Sequence, residues 1–168
     1  SVVRTDARVQ AQMPRSLSFD QACTLPILWC TIRLAFSEGM QLVARQRILI
    51  HAATGGVGLV AVEFAQLIGA TAHGSVGRPS KVKFVRPLDV ASVASSRDPL
   101  VFMYGAASCL ARMRLEAVVT AFSKAFVPSS LVLLNGLGRY LEVGKNNIWS
   151  ADRMAASHVA KPFRLVAF

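Results

Sequence analysis

The residues best placed to do chemistry are Ala53-Thr54-Gly55-Gly56-Val57-Gly58. Their spacing is A-x-G-x-x-G, a variant of the dinucleotide fingerprint G-x-G-x-x-G with Ala53 at the first glycine position. The chemistry is anion binding. One glycine lets the backbone approach a pyrophosphate with no Cβ in the way, and another lets a helix pack tightly on a strand. The phosphates then rest on the open N–H groups of the helix N-terminus. Ala53, Thr54, Gly55, Gly56, Val57 and Gly58 are therefore the candidate cofactor turn. The competing account is a glycine turn in an ordinary α/β domain.

A second group follows at His73 to Lys81, H-G-S-V-G-R-P-S-K. Sites specific for NAD usually carry an acidic residue here for the ribose hydroxyls. This segment has no Asp or Glu and offers Ser75, Arg78 and Lys81. Arg78 and Lys81 suit a 2′-phosphate, with Ser75 adding a hydrogen bond, so the expected cofactor is NADPH. The competing account is a solvated basic loop.

These groups must be held by a strand, a helix and a second strand. Ile48-Leu49-Ile50 is a short apolar run before the turn. Leu59 to Ile68 is amphipathic and stopped by Gly69. Ala70 to Val76 ends in Gly77. Together they predict one βαβ unit. Upstream, Ser18 with Gln21 three residues on predicts a capped helix. Pro26 is expected to interrupt it, and a second helix is expected over Ile27 to Ser37. Downstream, strands are expected at Val90–Ala94, Ala117–Val119, Arg139–Val143 and Phe163–Phe168. Helices are expected at Ser80–Arg86, within 99–114, at Ser129–Leu134 and at Ala151–Ser157. Strands alternating with helices predict a Rossmann-like, doubly wound parallel sheet of α/β class, with helices on both faces and a helix pair in front.

The order of the motifs resembles a known family. The segments RILIHAATGGVGLVAVEFAQLIGA, VASSRD and SSLVLLNGLGRYLEVGKNNIWS resemble the enoyl reductase domain of modular polyketide synthases and of animal-type fatty acid synthase. Both belong to the zinc-free, quinone-oxidoreductase-like branch of the medium-chain dehydrogenase/reductase superfamily. The upstream LSFDQACTLPILWCTIRLAF is similar to the family's helix pair. The resemblance covers residues 3–168. It implies reduction of a 2-enoyl thioester on an acyl carrier protein by hydride from NADPH, in polyketide or fatty acid synthesis. It also implies that Lys81 and Asp98 are catalytic proton-donor candidates and that Lys145, in the family's Gly-Lys, is cofactor-binding. Asp98 has an alternative as a helix cap or partner of Arg97. Lys145 has one as a surface lysine. Glu142 reads as structural, and His51 as a buried or hinge residue rather than a base.

Three departures bear on turnover. The family's L-N-S-L reads Val119-Thr120-Ala121-Phe122, so that Phe122 would crowd the cofactor. The approach to that strand, Leu110 to Glu116, lacks the family's glycines. The usual P-G-G turn reads Gly136-Leu137-Gly138. The family's substrate-binding half would also lie outside residues 1–168. The chain is thus expected to be a single nucleotide-binding domain, a piece of a larger enoyl reductase domain, and an enzyme only when completed by the rest. The alternative is a reductase-derived structural or accessory subunit that has lost catalysis. The expected partners are the carrier-bound thioester, the remainder of a multidomain synthase or larger complex, and a second copy of the chain in a homodimer.

Composition narrows the rest. Hydrophobic residues make up 53% of the 168, yet no run of about 18 apolar residues offers a transmembrane helix. The apolar surplus suggests surface covered by missing neighbours. The net charge is +10, but the basic residues are scattered without interleaved aromatics, which argues against nucleic acid and fits a phosphate-rich ligand. The three cysteines, Cys23, Cys30 and Cys109, form no C-x-x-C, and no histidine lies at ligand spacing, so no metal site is expected. An odd, unpaired count fits a reducing compartment, cytoplasm or organelle interior. The opening SVVRTDARV has neither the basic region nor the apolar stretch of a secretion signal.

Overall fold

The computed structural model describes residues 4–110, 113–121, 126–143, 150, 152 and 164–167. Its strands are β1 (Arg47–Ile50), β2 (Thr71–Val76), β3 (Ser92–Ser95), β4 (Leu115–Thr120), β5 (Leu134–Glu142) and β6 (Arg164–Ala167). They form one sheet in the order β3-β2-β1-β4-β5-β6, and every pairing is parallel. The helices are α1 (Phe19–Arg33), α2 (Gly56–Leu67), α3 (Val82–Val85), α4 (Pro99–Leu110) and α5 (Phe126–Leu131). This is the doubly wound Rossmann order. Its topological switch point lies between β1 and β4, where ligands bind at the carboxyl ends of the strands.

Alternation along each strand sends side chains to two cores. Ile48 and Ile50 pack with Ala117, Val119 and Leu141 against α1, α2 and α3. Leu49, Val118 and Tyr140 face the other way, against Phe102 and Ala106 of α4 and Val127 and Leu131 of α5. A strand covered on both faces reads as unbroken apolar sequence, which explains the Ile48-Leu49-Ile50 run.

α1 begins with the expected capping box. The Ser18 hydroxyl accepts from Gln21 N–H, and Gln21 Oε1 accepts from Ser18 N–H. The expected break at Pro26 does not occur. α1 runs through Pro26 to Arg33 and then widens into a π-helical segment, Leu34–Gly39. A proline inside a helix costs about 3 kcal/mol. Ile32, Phe36 and Met40 are each fully buried, and burying such side chains contributes about 1.5–3 kcal/mol apiece. Packing therefore outweighs the proline, and the helical pair divides at Leu34 instead. Phe36 and Trp29 both meet the Phe64 ring of α2, at 5.9 and 6.0 Å.

The helix expected over Ser129–Leu134 lies earlier, at Phe126–Leu131, and β5 starts at Leu134 rather than at Arg139. The register explains it: Leu115 pairs with Leu134 but Ala117 with Arg139, so β5 bulges across Asn135-Gly136-Leu137-Gly138. A Cβ on Gly138 would come within 2.8 Å of Leu134 Cβ and Cδ2, so the bulge requires that glycine. At the amino ends of the two central strands, Arg47 holds Glu116 through its backbone N–H and its guanidinium, at 2.7 and 2.6 Å, which locks β1 to β4. Among the described residues no helix is long and apolar enough to cross a membrane. All of the helix expected at Ala151–Ser157 except Asp152, and the residues Phe122 and Lys145, lie outside the described residues.

Candidate functional site

The turn after β1 is built by four close contacts. Ala52 adopts the left-handed region, φ 50°. Ala53 N–H donates to the Ser75 carbonyl at 3.0 Å, and Gly55 N–H to the Ala52 carbonyl at 2.8 Å. A methyl fits at the first fingerprint position because β2 carries Gly74 opposite: a Cβ on Gly74 would sit 3.1 Å from Ala53 Cβ. A Cβ on Gly58 would lie 2.3 Å from the Ala52 carbonyl oxygen and 2.7 Å from Ala53 Cα, both backbone atoms that cannot give. Gly58 is thus the glycine of close helix–strand packing.

The first intrahelical bond of α2 runs from Leu59 N–H to the Gly55 carbonyl at 2.8 Å. The N–H groups of Gly56, Val57 and Gly58 therefore stand at the open end of the helix, with the positive end of its dipole. Above them lies a groove of about 220 Å³, floored by Ile50, Val119 and Thr120 and walled by Gly55 to Gly58. It occupies the switch point between β1 and β4.

A separate cavity of about 380 Å³ opens on the other side of the same turn. It is lined by Thr54, Gly55, Arg78, Lys81, Ser96 and Arg97, with Ala52 and Gly77 between them. Among the described residues no carboxylate lines it. The structure thus brings Arg78 and Lys81 together with Thr54 of the glycine turn. Arg97 was missed. The signal was available: β3 lies beside β2 with Ser95 opposite Val76, so residues just after β3 must flank those just after β2.

Ser75 is not in that cavity. It is fully buried, and its hydroxyl pairs with His51 Nδ1 at 2.9 Å. The reason is strand alternation: Ala72 and Val76 of β2 face the α2 side, which sends Ser75 to the α4/α5 side. The Ser75 hydrogen bond to a 2′-phosphate is therefore withdrawn. His51 Nε2 meets the Ser130 hydroxyl at 2.8 Å, and that hydroxyl donates to the Phe126 carbonyl at 2.6 Å. The chain of bonds assigns the tautomer: Nε2–H donates to Ser130, and Nδ1 accepts from Ser75. The ring packs on Phe102 at 5.0 Å, and burial pushes its pKa down to about 3. Neutral, buried and bonded through both ring nitrogens, His51 joins the end of β1 to β2 and α5.

Neither donor candidate lines the groove. Lys81 lines the basic cavity. Asp98 Oδ1 accepts from the N–H groups of Leu100 and Val101, at 2.8 and 3.0 Å, and caps α4 with Pro99 at its first position. Glu142 is buried, and burial pushes its carboxyl pKa up.

The fold, the glycine turn at the switch point and the open helix end define a Rossmann-type nucleotide-binding unit. No protein-family model matches the chain. Pikromycin polyketide synthase component PikAII of Streptomyces venezuelae is 34% identical over 165 residues, which is 97% of this chain and 4% of that protein. Lovastatin diketide synthase mokB of Monascus pilosus is 30% identical over 164 residues, 96% of this chain and 6% of that protein. The chain thus spans a small fraction of these synthases. Among solved structures, the CurK enoyl reductase superposes with TM-score 0.85 at 28% identity, over 94% of this chain and 46% of that one. The nucleotide-binding subdomain of the enoylreductase domain of PpsC from Mycobacterium tuberculosis matches with TM-score 0.71 at 28% identity, over 83% and 79%. The chain is related, along nearly its whole length, to the enoyl reductase domains of polyketide synthases.

Proposed function

We propose that this chain is the NADPH-binding part of an enoyl reductase that acts on a 2-enoyl thioester carried by an acyl carrier protein. The observation that carries the reading is the pairing of two sites on one turn: an open helix N-terminus on one side and a cavity lined by Arg78 and Lys81 on the other. A pyrophosphate against the N–H groups of Gly56, Val57 and Gly58 places the adenosine end toward the basic cavity and the nicotinamide end toward the groove over Val119 and Thr120. When bound, NADPH supplies hydride to the β-carbon of the thioester. The chain's own part is to bind and orient. Gly58 permits the close approach of α2, Arg78 and Lys81 neutralise the 2′-phosphate, and Ile50, Val119 and Val143 give the groove an apolar wall.

Lys81 is assigned to the phosphate rather than to proton donation, because it lines the adenosine-side cavity. Asp98 is assigned to the cap of α4. Lys145 remains a proposed cofactor residue after β5. The thioester pocket and the proton donor are proposed to come from the remainder of an enoyl reductase domain within a multidomain synthase, with pairing to a second copy as a further arrangement. A structural or accessory subunit is the alternative, and the open groove over the glycine turn speaks against it.

The test is titration of the purified polypeptide with NADPH and with NADH, read by calorimetry, for wild type and Arg78→Ala. Removing one charge-assisted hydrogen bond to phosphate costs about 1.5–3 kcal/mol, so Arg78→Ala is expected to weaken NADPH about tenfold or more. NADH binding should change little. A folded protein that binds neither cofactor overturns the reading and favours the accessory role.

A further inference from the structure

We infer that the outer face of α4 pairs with the same face of a second copy of this chain, antiparallel about a two-fold axis at Tyr104. This contact is independent of the cofactor site. α4, Pro99–Leu110, holds no charged residue. A helix that is apolar all round is a buried helix. The inner face of α4 is buried, with Phe102, Ala106 and Leu110 in the core. The outer face is bare. Leu100, Val101 and Tyr104 are 62%, 58% and 69% exposed, and Ala107 and Ser108 are exposed beside them.

The order of side-chain sizes on that face singles out its partner. At 3.6 residues per turn, Leu100 and Ala107 lie on one flank of the face, Val101 and Ser108 on the other, and Tyr104 between them. The large residues precede Tyr104 by three or four positions, and the small ones follow it by three or four. A two-fold axis at Tyr104, perpendicular to α4, keeps each flank on its own side and reverses the helix direction. It sets Leu100 against Ala107 of the second copy and Val101 against Ser108 of the second copy, large on small, twice over. The recess for Leu100 is already formed. On the flank of Ala107 a groove of about 560 Å³ runs between α4 and the end of α5, lined by Met103, Ala107, Leu110, Met113 and Val132.

Charge favours the same arrangement. The chain carries +10, so two copies repel at most orientations. α4 itself brings no charge to the contact, and its two ends carry opposite ones. Asp98 stands at the N-terminus and pairs with no cation among the described residues. Arg114 stands beyond the C-terminus, where it donates to the Val132 carbonyl and lines the end of the groove. Arg97, beside Asp98, is turned to the Gly77 carbonyl. Antiparallel pairing brings the Asp98 end of each helix toward the Arg114 end of the other, and sets the two helix dipoles in opposition.

The experiment is sedimentation equilibrium of the purified polypeptide, with a cross-linking arm that reads the register. Wild type is expected to form a dimer. A two-fold contact uses each side chain twice, so Leu100→Ala should raise the dimer dissociation constant about a hundredfold. Ile27→Ala, on the exposed face of α1, should leave it within about twofold. Both positions are exposed, so both variants are expected to fold, which circular dichroism checks. For the register, the exposed Cys23, Cys30 and Cys109 are first replaced by serine. In that background Tyr104→Cys should oxidise to a disulfide-linked dimer. Leu100→Cys and Ala107→Cys should cross-link when mixed and not when alone. A wild type that stays monomeric at every concentration overturns the inference and leaves α4 to a neighbouring domain of a synthase. A dimer that survives Leu100→Ala, or that Ile27→Ala dissolves, also overturns it, because another face then carries the contact. Cross-linking of Leu100→Cys alone as fully as in the mixture does the same, since it marks a parallel or random pairing.

Discussion

Lowering the pH from 7.5 to 5 tests whether His51 is held neutral between Ser75 and Ser130. An ordinary histidine titrates near 6.5, and the buried ring near 3. Above pH 6.5 both folded and unfolded chains carry a neutral His51, so it adds no pH dependence. Below 6.5 the unfolded chain takes up a proton that the folded chain refuses, and stability falls with pH. The slope approaches about 1.4 kcal/mol per pH unit, and the accumulated loss at pH 5 is about 2 kcal/mol. Two other groups titrate against the same core. His73 is lowered by burial and by the charge of Arg47, which adds to the acid loss. Glu142 is raised by burial, so its protonation favours the folded chain and opposes it. The difference between wild type and His51→Gln isolates the ring. Urea unfolding at pH 7.5 and 5 should show the variant losing about 2 kcal/mol less than wild type over that interval. Should the variant not fold, the ring protons of His51 in the wild type should hold their chemical shifts from pH 8 to 5. A titration midpoint near 6.5, or equal pH losses in the two proteins, refutes the buried-neutral assignment.

The glycine turn predicts two opposite substitutions. Gly58→Ala drives a methyl into the Ala52 carbonyl; it should destabilise by about 1–3 kcal/mol in urea unfolding and weaken NADPH binding. Gly56→Ala meets only a Leu28 methyl at 3.2 Å, and the helix-propensity gain of up to about 1 kcal/mol should leave stability unchanged or slightly raised. Asp98→Ala should cost about 1 kcal/mol of stability through the lost cap of α4, while Asp98→Asn, which still caps, should melt like wild type. Any loss of turnover in Asp98→Asn, measured in the complete reductase, would instead assign the carboxylate a direct chemical part. Glu116→Gln should destabilise by about 1–2 kcal/mol, because the Arg47 guanidinium at the base of β1 and β4 loses its charged partner.

The strand–turn–helix–strand core was legible because three short-range signals agreed: an apolar run, glycines at the fingerprint spacing and an apolar helix period. Fold class followed from the alternation of elements. What local sequence could not carry was the weighing of local rules against packing. Pro26 obeys its own rule and should break a helix, yet three buried side chains after it outweigh the break. Asn135-Gly136 reads as a helix stop followed by a loop, and only the slip in register against Leu115 turns those residues into a bulge within β5. The site divides along the same line. Arg78 and Lys81 follow β2 directly and are read from its end. Ser75 fits the same motif by type, but the pleat carries it to the other face and into the hands of His51. Arg97 is twenty residues past Gly77 and joins the cavity only because β3 pairs beside β2. In a parallel sheet each site residue sits at the end of a strand, and its neighbours are residues at the ends of other strands. Residue type and spacing therefore identify the first contributor to such a site. Strand order identifies the rest, and pleat parity removes those that face the wrong way.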